Sequence, residues 1–159
     1  MTNIETTGVY AAALGSALLA GGFFAFSAFI MPALARLPSA AGIAAMQSIN
    51  VAVLRSLFLV VLMGTTVLCA VLTASALVSP SGPAGAYRVA GCVVELLGVM
   101  GVTMVGNVPL NNQLAGVEPG SKAGEAIWRR YLRNWTLWNH ARALAGLAAT
   151  AALIRAISA

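Results

Sequence analysis

The chain has 159 residues, 60% of them hydrophobic and only 8% charged, and its mean hydropathy is +0.89. A soluble domain carries about 25% charged residues, so the composition excludes a water-soluble globule and points to an integral membrane protein. The formal net charge of +5 does not signal a nucleic-acid partner, because the basic residues flank apolar segments, where they set orientation.

Four apolar segments are expected to span, at about 9–30, 54–78, 87–106 and 137–157, each near the roughly 20 residues that cross a bilayer. They form one transmembrane domain over 1–159, an all-α four-helix bundle with no room for a separate soluble domain. The first segment is preceded by Glu5 and no Lys or Arg and is too long for a signal core. Ala33-Leu34-Ala35 is therefore read as part of an uncleaved chain. Proline lacks the N–H and clashes with the preceding turn, so Pro32 is expected to end the first helix. A short segment, 33–50, then brings Gln47 and Asn50 to the start of the second helix. Ser79-Pro80-Ser81-Gly82-Pro83 reads as a turn. The third helix is expected to end at Asn107-Val108-Pro109, and a loop runs to Ser121, a helix N-cap. A helix at about 122–136 is expected to lie at the interface before turning into the fourth span.

Arg36, Arg55, Lys122, Arg129, Arg130, Arg133 and Arg142 fall on the side of the first and third loops, and only Arg88 and Arg155 on the other. The positive-inside rule then places those loops in the cytoplasm and both termini outside. Cys69 and Cys92 fall inside helices at similar depth and read as small packing residues. A faint internal repeat pairs Pro32 with Pro109, and Asn50 and Arg55 with Asn139 and Arg142.

Gln47, Asn50, Arg55, Asn107, Asn111, Asn112, Asn139, His140 and Arg142 all fall at the cytoplasmic end of this bundle. Polar groups that enter hydrocarbon cost free energy unless they face protein or water. The set predicts a pocket with apolar walls and a mouth of amides and a guanidinium; the simpler reading is that each group caps a helix or meets headgroups. Trp128, Tyr131, Trp135, Trp138, Asn139 and Arg142 follow steps of three and four and share one helix face, whereas Arg129, Arg133 and His140 share another. The first face reads as the wall of a site or, alternatively, as an interfacial aromatic belt. His140 is the only histidine and the side chain best suited to acid–base work near neutrality, but the spacing turns it away from the first face unless the helix breaks near 134–138. No second histidine and no His/Cys/carboxylate cluster exists in the sequence, so a protein-bound metal or haem is not expected. Glu95 shares a face with Gly91 and Gly98 and is expected to face protein, where Arg55 could approach it. It is either a functional intramembrane carboxyl or a structural hydrogen bond.

Phe23-Phe24-Ala25-Phe26-Ser27, Met31-Pro32-Ala33-Leu34, Met46-Gln47-Ser48-Ile49-Asn50, Gly106-Asn107-Val108-Pro109-Leu110-Asn111 and Trp135-Thr136-Leu137-Trp138-Asn139-His140-Ala141-Arg142 occur in this order over nearly the whole chain. With them the chain closely resembles the anthrone oxygenase-like family of small membrane proteins. Fungal members of that family oxidise polyketide anthrones to anthraquinones with dioxygen and no cofactor. The resemblance implies a cofactor-independent monooxygenase whose partners are the lipid bilayer, O2 and a lipophilic aromatic substrate. It implies catalytic roles for His140, Arg142 and Asn139. Substrate contacts would come from Trp135, Trp138, Asn107, Asn111, Gln47, Asn50, Phe26 and Arg55. Glu95 lies outside the family's pattern.

Two other readings stay open. One is a membrane protein that holds a lipophilic quinone, pigment or lipid without turning it over. The other is a small exporter, which the single polar end disfavours, because transport needs access to both sides. Gly21-Gly22, Gly98 and Gly101 offer faces for a homo-oligomer.

Overall fold

The computed structural model of the protein describes residues 3–78 and 82–159; Ser79, Pro80 and Ser81 of the expected turn lie outside them. Every regular element among the described residues is helical. The chain runs α1 (Asn3–Ala25), a π-helical turn (Phe26–Ile30), α2 (Met31–Ala35), α3 (Ser39–Val53) and α4 (Leu57–Val78). It continues with α5 (Gly82–Val94), two π stretches (Glu95–Gly101 and Thr103–Asn107), α6 (Val108–Ala115) and α7 (Lys122–Ser158). Three of the resulting rods, Asn3–Ala35, Leu57–Ala76 and Gly82–Ala115, are long and apolar enough to cross a membrane. Their outer faces carry Leu14, Leu18, Val60, Val67, Val71 and Leu97 in exposed positions, a surface suited to hydrocarbon rather than water. This is the makeup of an integral membrane helical bundle.

Neither proline ends its helix, contrary to the sequence expectation. Pro32 and Pro109 each sit in the first turn of a helix that continues the rod behind it, and each is preceded by a π turn. Met31 N–H donates to Phe26 O, and Val108 N–H to Thr103 O, in both cases five residues back. The wider turn moves the preceding carbonyls off the proline ring, so the chain passes proline without a stop. The segment expected as a short connection at 33–50 is mostly α3, a 15-residue helix whose Ile43 and Met46 are buried against Trp128 and Leu114.

The helix expected to turn near 136 does not turn. α7 is one unbroken helix of 37 residues. Ser121 caps it by accepting from Gly124 N–H at 3.0 Å, and no glycine or proline interrupts residues 125–145. α7 packs along α1 and α5, and α4 closes against the same two helices. The seam between α7 and the rod Gly82–Ala115 is tight because small residues meet there. A methyl group added at Gly98 would fall 2.5 Å from the Ala145 Cβ, so that face of the rod is already occupied within the chain.

Candidate functional site

Side chains from three helices converge around Asn139 and Arg142, both buried on the inner face of α7. The Asn139 amide donates to Phe23 O and to Ser27 Oγ, each at 2.6 Å. Its Oδ1 accepts from Arg142 Nη2 at 2.7 Å. Arg142 Nη1 donates to Thr103 Oγ1 at 3.3 Å, and its guanidinium carbon lies 4.2 Å from the centroid of the Phe23 ring and 5.3 Å from that of Trp135. Asn107 donates to Trp135 O at 3.1 Å. Ser27 lies in the first π turn, and Thr103 and Asn107 in the last. The two wide turns therefore flank the same stretch of α7, a recurring feature of functional sites.

The charge at Arg142 is not neutralised. Among the described residues the one ion pair is Arg88 with Glu5, far along the bundle. A buried ion carries a penalty of several kcal/mol, and two aromatic contacts return about 0.5–2 kcal/mol each. Arg142 Nε and Asn107 Oδ1 are moreover buried with no hydrogen-bond partner. One donor and one acceptor are thus left with hydrogen-bonding capacity in the buried cluster that holds this cation.

Above this cluster, Trp128, Tyr131 and Trp135 stack along α7 with ring centroids 5.7 and 5.8 Å apart. Asn111 Oδ1 accepts from both Tyr131 Oη and Trp135 Nε1 at 2.8 Å. Burial pushes the Tyr131 phenol above its usual range, so it stays a neutral donor. Phe26 packs 5.7 Å from Trp135, and Asn50 reaches the Tyr131 hydroxyl. Gln47 instead donates to Leu114 O at 2.8 Å and Val117 O at 3.0 Å, fastening α3 to the end of α6.

Three of the expected site residues are placed elsewhere. His140 is exposed on the outer side of α7, because the unbroken helix keeps it on the other face. Arg55 is exposed in the turn between α3 and α4. It does not reach Glu95, which is level with Cys69 on α4, roughly 20 Å further along that helix at 1.5 Å per residue. Trp138 is 41% exposed and sits at the rim of the cluster rather than in its wall.

The family model for anthrone oxygenase matches residues 55–152, more than half of the chain. The chain belongs to the anthrone oxygenase family. No curated protein and no solved structure matches it. The anthrone oxygenase match contains Thr103, Asn107, Asn111, Trp135, Asn139 and Arg142 but stops short of Phe23, Ser27 and Gln47. Membership suggests an oxygenase-like function.

Sequence reasoning missed Ser27, Thr103 and Phe23 as partners of Asn139 and Arg142. It also assigned Arg88, at the opposite end of this family member, to orientation alone. There Arg88 is fully buried and paired with Glu5 at 3.0 Å. Cys69 and Cys92, both free and buried, lie beside each other one turn further in. Glu95 is buried next to Ser16, with neither carboxyl oxygen in a well-formed hydrogen bond.

Proposed function

We propose that the protein is a cofactor-independent oxygenase that uses O2 to convert an anthrone-like polycyclic phenol to a quinone at the Asn139–Arg142 cluster. The observation that carries this reading is the buried, unneutralised Arg142 packed against two aromatic rings with Nε free. We place the second half of α7 as a fourth span and the Gln47 end in the cytoplasm.

The chemistry suits such a site. Loss of a benzylic proton from an anthrone gives a delocalised anion that can transfer one electron to triplet O2 without a metal or flavin. Recombination forms a carbon–oxygen bond and a hydroperoxide. Loss of water then leaves the carbonyl, so that one oxygen atom enters the product and the other leaves as water. Arg142 would hold the anionic oxygen, with its field strengthened by the low-dielectric surroundings. Asn107 would accept from a neighbouring phenol, and Trp135 and Phe23 would offer flat faces. The cluster holds no imidazole or carboxylate, so its contribution is to stabilise the anion while the proton passes to water at the polar end. Dioxygen and flat aromatics both partition into the apolar bundle.

Oxygen uptake by the purified, metal-stripped protein in detergent, with a hydroxylated anthrone and quinone absorbance followed in parallel, tests this. Turnover above the spontaneous rate is expected in the wild type and is lost in Arg142→Gln. Turnover that survives in Arg142→Gln removes the site, and binding without turnover leaves a non-catalytic ligand carrier.

A further inference from the structure

We infer that the Trp138 indole, lying across Gly106, is the door through which a membrane-dissolved aromatic reaches Arg142 sideways from the bilayer. The inference rests on the reading of the Arg142 cluster as the substrate site. That cluster is closed: Asn139, Asn107, Trp135 and Arg142 are all buried. A ligand must therefore pass either through the polar end or between helices.

The polar end is strongly fastened. The Trp128–Tyr131–Trp135 stack covers the cluster, Asn111 holds two of those rings, and Gln47 ties α3 to the end of α6. A path there would break several hydrogen bonds at once.

The seam between α7 and the rod Gly82–Ala115 offers a weaker point. Along it Gly91 meets Leu153, Gly98 meets Ala145 and Gly106 meets Trp138. Ala145 has no side-chain rotation that could open a gap. Trp138 is different: it is large, it is 41% exposed, and it makes no hydrogen bond among the described residues. Its indole rests where a side chain at position 106 would stand, so a Cβ there would come within 2.6 Å of the Trp138 Cγ. Rotation of the indole breaks no hydrogen bond.

What lies behind the indole fits a ligand arriving this way. Arg142, with Nε open, is one turn further along α7, and Asn107, with Oδ1 open, is the residue after Gly106. An open donor and an open acceptor thus lie within one helical turn of the Trp138–Gly106 contact. Outside, Met104, Val105, Leu137 and Leu144 are exposed, so the door gives onto acyl chains rather than water. The substrate class that follows is a flat, bilayer-soluble aromatic with an anionic or carbonyl oxygen for Arg142 and a neighbouring hydroxyl for Asn107.

The test uses the full chain in phosphatidylcholine vesicles and 1,8-dihydroxyanthraquinone as a non-reacting probe, with tryptophan quenching followed by stopped flow. A door obstructs passage in both directions, so Trp138→Ala is expected to raise association and dissociation rates together, by about fivefold. Trp138→Phe should fall between, and Gly106→Ala, which displaces the indole, should also speed both. A rise in dissociation alone would make Trp138 an ordinary contact and overturn the inference, as would rates unchanged in all three variants. If Arg142→Gln abolishes binding while the Trp138 variants behave as wild type, the door is wrong and the Arg142 site stands. If the wild type binds no probe, both fall.

Discussion

Asn139→Asp isolates the charge at the site from its shape. The replacement is nearly isosteric and keeps an oxygen 2.7 Å from Arg142 Nη2, but it adds a carboxylate next to the cation. A substrate oxygen bound on the Nε side would lie about 6.5 Å from the new charge, across the guanidinium. At an effective dielectric of about 20, two like charges at that distance repel by about 2.5 kcal/mol. This corresponds to roughly a 70-fold loss in kcat/KM. Stability should fall, because a carboxylate oxygen then faces the Phe23 carbonyl, an acceptor, where the amide donated, while Ser27 Oγ can turn to donate and the new ion pair with Arg142 offsets part of the loss. The assay is quinone formation over a substrate series at fixed pH, with thermal unfolding in the same detergent as the control for folding. A loss below about fivefold, in a variant that still unfolds cooperatively above the assay temperature, would show that the Arg142 charge does not hold a substrate anion.

Other predictions follow from the same geometry. Glu5→Gln leaves the buried Arg88 without its countercharge, and because Glu5 is itself partly exposed the expected loss is about 2 kcal/mol, read from denaturant unfolding in detergent. Gln47→Leu removes the donor to Leu114 O and Val117 O. It should cost about 1–2 kcal/mol and raise hydrogen exchange over 114–121, with the α4 core unaffected. His140→Ala, on the exposed face of α7, should leave turnover unchanged within about twofold; a loss above about tenfold would return the histidine to the mechanism.

The apolar composition and the steps of three and four made the membrane bundle and the inner face of α7 legible. On a helix with 100° per residue, Trp128, Tyr131, Trp135, Asn139 and Arg142 fall within an arc of about 80°, and His140 lies well outside it. Trp138 falls just beyond one edge, about 60° from Trp135, which explains why the same periodicity that included it did not bury it. Ser27 and Thr103 were not legible, because π turns carry them to the site and helical spacing at 3.6 residues per turn misassigns faces beyond such a turn. Arg88 was misread for another reason. A cation near a helix end ordinarily reads as a headgroup anchor, and only the folded chain shows Glu5 alongside it.

A five-residue closure holds one more residue per turn than an α-helix does. The π turns at Phe26–Ile30 and Thr103–Asn107 therefore act as phase shifters. Winding the same residues of the second with four-residue α closures would swing the rod beyond it by about 100°. Asn111 would leave Trp135 and Tyr131, although not one residue would change. The closure of these two turns is thus as much a part of the site as the identity of the residues that line it.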